Sequence, residues 1–300
     1  MDMTQNKCCR HGASLRRRRR RRRKILCFII FSCSIIAVTV FVAVGSRMIR
    51  SGDGRTNRYD VEAGNNTYDN AVIENSKISE KNKIQNNQSM LDDIMNSTQY
   101  PKQLKDLALK NEEALEFVYD YPAEHVKEHT IDLTEEASMD SVPLFVQWDK
   151  RWGYEKYSGN FFAASGCGPT TLSMVVVYLT HNREASPIAV AKYSKEAGYS
   201  VDGSGSSWTL ISEGCRHYGV KAKTVALDES RMKAELDEGH PIVVNVGPGD
   251  FTDTGHFMVI TGYDDEGFSI NDPNSIEKSG KRWLFKNISS QIRAVWSMYV

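Results

Sequence analysis

The amino-acid sequence predicts an α+β fold in which helices come first and antiparallel strands follow. Apolar residues recur at helical spacing between positions 100 and 238, whereas strand-like runs joined by Gly-, Asp- and Asn-rich turns fill positions 241–300. Helices that precede the strands, rather than alternating with them, are typical of this class. Residues 99–300, about 200 in number, are enough for one domain with its own core.

The first 50 residues differ in charge from the rest of the chain. They hold thirteen of the 38 Lys and Arg residues and a single acidic residue. The formal net charge of zero is therefore the sum of a basic N-terminal part and an acidic remainder. Residues 25–46 carry no charge, and a helix of this length spans the ~30 Å apolar core of a bilayer. Because Arg16–Arg23 precede this stretch, the positive-inside rule places residues 1–24 in the cytoplasm and the later residues outside. A cleaved signal peptide and a nucleic-acid-binding basic run are the alternatives.

Composition divides the remainder of the chain into a stalk and a domain. Residues 47–98 are rich in Asn, Ser, Asp and Lys and predict a flexible polar stalk. From residue 99 the pattern becomes that of a folded domain, opened by a helical hairpin between Pro101 and Pro122. We therefore expect a basic tail at 1–24, a transmembrane helix at 25–46, a stalk at 47–98 and a folded domain at 99–300.

The segment SGCGPTTLSMVVVYL, residues 165–179, places a cysteine at the start of a predicted helix. Pro169 suits the first helical turn, and the apolar run after it indicates burial on all sides. A helix N-terminus favours the thiolate form of Cys167, which is the nucleophilic form. Gly166 and Gly168 leave room for a substrate backbone. Further helices are expected at 187–197, 207–218 and 229–238.

The cysteines beyond residue 46 are Cys167 and Cys215. Two cysteines do not make a disulfide framework, although one bridge between them is an alternative in an oxidising exterior. The CRH triplet at 215–217 has no second ligand pair at metal-binding spacing, so we expect neither a metal nor a cofactor.

His256 is the histidine best placed to serve a thiol nucleophile. It begins a strand in GHFMVITGY, and the next strand ends in Asn271 and Asp272. If the intervening loop is 262–266, His256 faces Asp272 across the hairpin, with Met258 opposite Ile270. A register changed by one residue would bring Asn271 to that face instead. A carboxylate would both orient the imidazole and stabilise its cation, which favours Asp272.

Gln147, in QWDKRW, could join the backbone N–H of Cys167 in holding an oxyanion. Together, QWDKRW, GCGPTTLSM, the GSGSSW loop, GHFMVITGY and NDP resemble the papain-like cysteine peptidases, in particular the branch of the bacteriocin-processing, double-glycine leader peptidases. The resemblance covers about residues 142–275. It implies a papain-like fold with Cys167 as nucleophile, His256 as base, Asp272 as orienting residue and Gln147 in the oxyanion hole. Gly166, Gly168, Trp208 and Gly255 are the expected substrate-binding residues.

The resemblance and the topology together predict a membrane-anchored peptidase whose catalytic domain lies outside the cytoplasm. Its expected partners are an exported or surface peptide or protein, which is the substrate, and the lipid bilayer; no nucleic acid is expected. The sequence holds no GxxxxGK[ST] loop, so we expect a stand-alone relative of the leader peptidases. The alternatives are an amidase or acyltransferase that uses the same triad, and a non-catalytic surface binding module.

Overall fold

The computed structural model describes residues 66–300, so the predicted basic tail, the predicted membrane span at 25–46 and the first part of the predicted stalk lie outside the described residues. Within 66–300, no helix is both long and apolar enough to cross a bilayer. Residues 70–300 form one compact unit.

Helices dominate the first two thirds of the described chain and strands the last third. The α-helices are α1 Asn66–Asn96, α2 Lys102–Lys110, α3 Leu115–Tyr119, α4 Tyr121–Glu124, α5 Thr134–Ser138, α6 Phe162–Ser165, α7 Cys167–Thr180, α8 Pro187–Glu196, α9 Thr209–Ser212, α10 Glu229–Asp237, α11 Ile276–Ser279 and α12 Phe285–Ile288. The 3₁₀ helices are Glu112–Ala114, Gly214–Tyr218 and Ser289–Gln291. The strands are β1 Lys156–Tyr157, β2 Asn160–Phe161, β3 Ser200–Val201, β4 Gly205–Ser206, β5 Lys221–Thr224, β6 Ile242–Val246, β7 His256–Asp264, β8 Gly267–Asn271, β9 Arg282–Trp283 and β10 Ile292–Tyr299.

The main sheet is six-stranded, in the order β5-β10-β6-β7-β8-β9, and each neighbouring pair is antiparallel. Side chains alternate across it, as strand geometry requires. Phe257 and Val259 pack on the side of the sheet that α7 covers, whereas Met258 and Ile260 belong to the core on the opposite side. The predicted α+β class with antiparallel strands is confirmed.

Helix α7 is buried along nearly its whole length, which explains its almost continuous apolar sequence. It packs against β7 and α8. Its C-terminus is closed by His181, which adopts the left-handed conformation at φ 57° and donates its backbone N–H to Val177. The helix therefore holds its first residue, Cys167, at a fixed place beside the sheet.

The structure differs from the predicted stalk, because α1 occupies Asn66–Asn96. The end of this helix belongs to the folded unit: Ile94 is fully buried, and Met90 and Leu91 pack on the same cluster of apolar residues as Leu104. Three apolar residues at positions 90, 91 and 94 share one face of a helix, and this is enough to dock it. The predicted domain start at residue 99 is therefore too late.

The predicted helix at 207–218 is broken in the structure. It divides at Glu213, whose backbone leaves the helical region at φ −127°, into α9 and the 3₁₀ helix Gly214–Tyr218. The ring of Tyr199 approaches to within 3.0 Å of the place where a Cβ on Gly214 would lie. The glycine therefore leaves room for the Tyr199 ring at the start of the 3₁₀ helix.

The start of α7 is packed against the short hairpin β3–β4. A Cβ on Gly168 would lie 2.6 Å from Ser206 Oγ, and one on Gly166 would lie 2.6 Å from the carbonyl oxygen of Phe162. These two glycines therefore admit neighbouring parts of the protein, which differs from the expectation that they leave room for a substrate backbone.

We expect Gly168→Ala to lower the free energy of unfolding by about 1–3 kcal/mol, because the added methyl group overlaps Ser206. Thermal denaturation followed by circular dichroism measures this. Gly168→Ala combined with Ser206→Gly should recover part of the loss, since the overlapping atoms are removed. Gly262→Ala is the matched control, because its added Cβ meets no atom within 4 Å. An equal loss in Gly168→Ala and Gly262→Ala would contradict this account of the packing.

Candidate active site

His256 and Asp272 meet at the edge where β7 begins and β8 ends. His256 Nε2 donates to Asp272 Oδ1 at 2.7 Å, and both side chains are buried. Because an ionised carboxylate only accepts hydrogen bonds, the contact fixes a proton on Nε2. Nδ1 is then the nitrogen that is free to face a reacting group.

A β-bulge brings these two residues to the same face of the sheet. The hairpin register pairs Asp264 with Gly267 at the tip, but it shifts by one residue between Ile260 and Gly262. Thr261 is the extra residue, and beyond it Val259 pairs with Asn271. Since successive side chains point to opposite faces, the one-residue shift puts Asp272 rather than Asn271 on the His256 face.

The register expected from the sequence is wrong in detail. Ile270 lies opposite Ile260 rather than Met258, and the strands continue to a tip at residues 265–266 rather than ending at a loop over 262–266. In the extended part of the hairpin Tyr263 pairs with Phe268, and the two rings lie edge-on. Asp272 therefore lies two positions along the strand from the point directly opposite His256. The two side chains are diagonal neighbours on the same face of the sheet.

Cys167 is half-buried and lines the same cleft as His256. Burial disfavours its thiolate, but the neighbouring His256 side chain and its positive charge hold the pKa of Cys167 below its ordinary value. Burial likewise disfavours the imidazolium, but the Asp272 carboxylate and the Cys167 sulfur together raise the pKa of His256 well above its ordinary value. The two shifts favour a thiolate–imidazolium pair near neutral pH.

Two backbone N–H groups act on the sulfur as well. Those of Phe257 and Gly168 favour the thiolate and lower the pKa of Cys167. Gly168 supplies its donor from the first turn of α7, where backbone N–H groups have no partner within the helix. Cys167 therefore begins the helix α7 beside the start of the strand β7.

Gln147 lines the same cleft as Cys167 and His256 and is almost completely buried. Its backbone N–H donates to Pro273 O at 2.7 Å, and its Nε2 donates to Ala163 O at 2.7 Å. An amide group has two N–H bonds, so one remains after the contact with Ala163. Gln147 is thus fixed between the turn before Cys167 and the turn after Asp272.

These residues lie in a cleft of about 490 Å³, a size usual for ligand sites. Cys167, His256 and Gln147 line the interior, the loop 249–255 forms one wall, and α2 with Asn111 contributes another. Gly255 is exposed in this lining, and an added Cβ there would meet only Val246 O, at 4.0 Å. The backbone at Gly255 is therefore open to a ligand.

The comparisons with known proteins agree with the resemblance in the motifs. The model of the Peptidase_C39-like family matches residues 139–300, which is more than half of the chain and includes Cys167, His256 and Asp272. The protein belongs to the C39-like peptidase family. It is a cysteine peptidase, and the predicted papain-like relationship is confirmed.

Two solved structures illustrate this family. One is the peptidase domain of ComA from Streptococcus, a bifunctional ABC transporter involved in a quorum-sensing pathway; identity is 20%, the TM-score is 0.36, and the match covers 45% of this chain and 90% of that one. The other is a C39-like peptidase from Bacillus anthracis, at 17% identity and a TM-score of 0.33, with 53% and 95% covered. No curated protein matches the chain.

Three of the expected substrate-binding residues of this C39-like peptidase do not line the cleft. Gly166 and Gly168 face Phe162 and Ser206, as described above. Trp208 lies edge-on to Trp296 and is 47% exposed, outside the residues that line the cleft. Gly255 is the expected substrate-binding residue that the cleft contains.

Sequence reasoning missed the wall formed by α2. Gln103, Asp106, Leu107 and Lys110 line the cleft, and their positions follow the spacing of one helix face. From the sequence alone, the polar residues of this set have the pattern of a helix face exposed to solvent, so nothing marks them as the lining of a cleft. Asn274 and Lys278, which also line the cleft, follow Asp272 closely and could have been found from that proximity.

The second cysteine of this C39-like peptidase stands in a different environment. Both described cysteines are free thiols. Cys215 is fully buried among apolar residues in the 3₁₀ helix Gly214–Tyr218, and burial raises its pKa to about 11.

Among residues 66–300, no group of three or more potential ligands could hold a metal ion.

We expect iodoacetamide to label Cys167 well before Cys215 when the folded full-length protein is treated at pH 7. Alkylation requires the thiolate, whose fraction at this pH increases when the pKa falls and decreases when it rises. Peptide mapping by mass spectrometry separates the two positions from the N-terminal cysteines. His256→Ala should slow the labelling of Cys167 and move its pH midpoint upward. Equal rates at Cys167 and Cys215 would contradict the assigned pKa shifts.

Proposed function

We propose that this peptidase hydrolyses peptide bonds through a triad of Cys167, His256 and Asp272, and that it acts outside the cytoplasm while anchored in the membrane. The observation that carries the triad is the 2.7 Å hydrogen bond between His256 Nε2 and Asp272 Oδ1, beside Cys167, which lines the same cleft as His256 and whose pKa His256 lowers. A thiol, a base and a group that orients the base form the arrangement that activates a nucleophile.

The first half of the reaction forms a thioester. The Cys167 proton moves to His256 Nδ1, and the sulfur attacks the carbonyl carbon of the scissile peptide bond. The carbonyl oxygen becomes negatively charged, and the backbone N–H of Cys167 and the side-chain amide of Gln147 donate to it. When the intermediate collapses, the C–N bond breaks and His256 returns its proton to the departing amine. Asp272 stabilises the imidazolium throughout.

The second half releases the acyl group. Water enters the place that the amine has left and gives a proton to His256 Nδ1 as its oxygen attacks the thioester carbonyl. The same donors hold the second oxyanion. Collapse breaks the C–S bond, the product leaves as a carboxylic acid, and Cys167 regains its proton.

The location follows from the sequence at the N-terminus. Residues 25–46 carry no charge and have the length of a membrane span, and the run Arg16–Arg23 precedes them. The positive-inside rule then puts the peptidase domain on the far side of the membrane from the cytoplasm. Its substrates would be exported or surface peptides or proteins.

The direct test of the proposed reaction compares the full-length protein in detergent with Cys167→Ala on a mixed peptide library. New peptide termini are identified by mass spectrometry. We expect cleavage that Cys167→Ala abolishes. Fast labelling of Cys167 without any peptide cleavage would instead favour an amidase or acyltransferase that uses the same triad.

Replacement of Asp272 should affect turnover far more than replacement of its neighbour. Asp272→Ala removes the group that holds the His256 ring, so we expect kcat/KM to fall on the order of 10²–10⁴-fold. Asn271→Ala is the matched control, because Asn271 Nδ2 instead donates to the carbonyl oxygens of Val142 and Pro143, at 3.1 and 3.0 Å. It should lower thermal stability and leave kcat/KM within about threefold. The reverse ranking would exclude Asp272 as the orienting residue.

The proposed orientation predicts the result of external proteolysis. An added protease should remove the peptidase domain from intact cells, while an epitope tag on residues 1–24 remains protected until the cells are permeabilised. Immunoblots against the two ends measure both outcomes. A domain that stays intact in whole cells and is digested only after permeabilisation would reverse the orientation.

A further inference from the structure

A segment that precedes the family match makes direct contact with the loop that follows Asp272. The match begins at residue 139, whereas Asn111 and Glu113 lie before it. Asn111 Nδ2 donates to the backbone oxygen of Asn274 at 2.9 Å and to its side-chain oxygen at 3.1 Å. These bonds join parts of the chain that are more than 160 residues apart in sequence.

Glu113 binds the next three residues of this loop. Its Oε2 accepts the backbone N–H groups of Ile276 at 2.7 Å and Glu277 at 3.0 Å, and its Oε1 accepts the hydroxyl of Ser275. A carboxylate is a strong acceptor for the free N–H groups at the start of a helix, here α11. Asn111 Oδ1 in turn accepts the backbone N–H of Glu113 at 3.0 Å, so the two side chains form one unit.

The same loop sets the position of the Asp272 carboxylate. Oδ1, the oxygen that His256 contacts, also accepts the backbone N–H of Asn274 at 2.8 Å. The backbone N–H of Asp272 donates to Ser279 Oγ at 2.9 Å. A displacement of residues 274–279 would therefore move Asp272 relative to the His256 ring.

We propose that Glu113 and Asn111 are positioning residues of the peptidase site, which hold Asp272 against His256 through the loop 274–279. This inference rests on the proposed triad. Both residues act from outside the family match, and Asn111 also lines the cleft. The segment before residue 139 is therefore a working part of the active site.

The contacts of Glu113 separate this role from ordinary packing. Its neighbours Ala114 and Leu115 are buried in the apolar cluster that contains Leu104, and they dock the segment on the domain. Glu113 instead directs its carboxylate to three donors of one loop. Its loss should release the loop while the segment stays docked.

The experiment measures how the rate of Cys167 alkylation by iodoacetamide depends on pH in the full-length protein, with peptide mapping as the readout. If Asp272 moves from His256, the imidazolium is stabilised less and the thiolate with it. We expect Glu113→Ala to move the alkylation midpoint upward by about half a pH unit, which slows labelling about threefold at pH values below the midpoint. Asp272→Ala should give a larger shift in the same direction.

A double variant distinguishes positioning from a general loss of stability. In the Asp272→Ala background, Glu113→Ala should cause no further shift of the midpoint, because the group that it positions is absent. Glu113→Gln keeps the size of the side chain and one acceptor oxygen, so its shift should be smaller than that of Glu113→Ala. Glu116→Ala is the matched control: Glu116 is an exposed glutamate one helical turn away, and its loss should not move the midpoint.

The outcomes separate this proposal from the proposed function. A wild-type midpoint near that of an ordinary thiol would overturn the triad and the positioning role together. A low wild-type midpoint that stays unchanged in Glu113→Ala and Glu113→Gln would overturn the positioning role alone. Equal shifts in the presence and absence of Asp272 would show that Glu113 acts on the site by another route, which also overturns the proposal. Circular dichroism of each variant establishes that the comparison is between folded proteins.

Discussion

The contact between His256 Nε2 and Asp272 Oδ1 is the constraint on which the site depends. It joins the two ends of neighbouring strands at a place where both side chains are buried, and a buried charge is stable only when it is paired and hydrogen-bonded. The charge of Asp272 offsets the burial of the imidazolium, and the imidazolium offsets the burial of the thiolate. Asp272 and Cys167 thus favour the imidazolium of His256, and His256 in turn favours the thiolate of Cys167.

The scaffold places these groups by rigid elements rather than by long loops. Cys167 begins a buried helix, His256 begins a central strand, and Asp272 directly follows the neighbouring strand. Gln147 is fixed by hydrogen bonds to the turns before Cys167 and after Asp272. Groups held in this way lose little freedom when a substrate binds, which is the condition for electrostatic stabilisation of a transition state.

The sequence carried enough information to bring His256 and Asp272 together but not enough to give the register of their hairpin. Which face of the sheet a side chain takes depends only on whether its distance along the strand from a paired residue is odd or even. The bulge at Thr261 shifts the pairing by one residue, and the strands are also longer than expected. A bulge has no clear signal in this stretch. The helices followed the apolar spacing well, except that the one expected at 207–218 divides at Glu213. Composition concealed the docked end of α1, because Ile94 and two neighbours are diluted by polar residues.

The wall formed by α2 has a consequence for how such a peptidase could diversify. The groups proposed to act on the substrate, from Gln147 to His256, lie within the family match, whereas Gln103, Asp106 and Lys110 lie before it and border the space that a ligand would occupy. Substitutions at these positions of α2 would change the border of the ligand space and leave the groups around the sulfur in place. Asn111 has two roles: it borders the ligand space, and it donates a hydrogen bond to Asn274. Evolutionary change at that one position would couple the choice of substrate to the rate of the reaction.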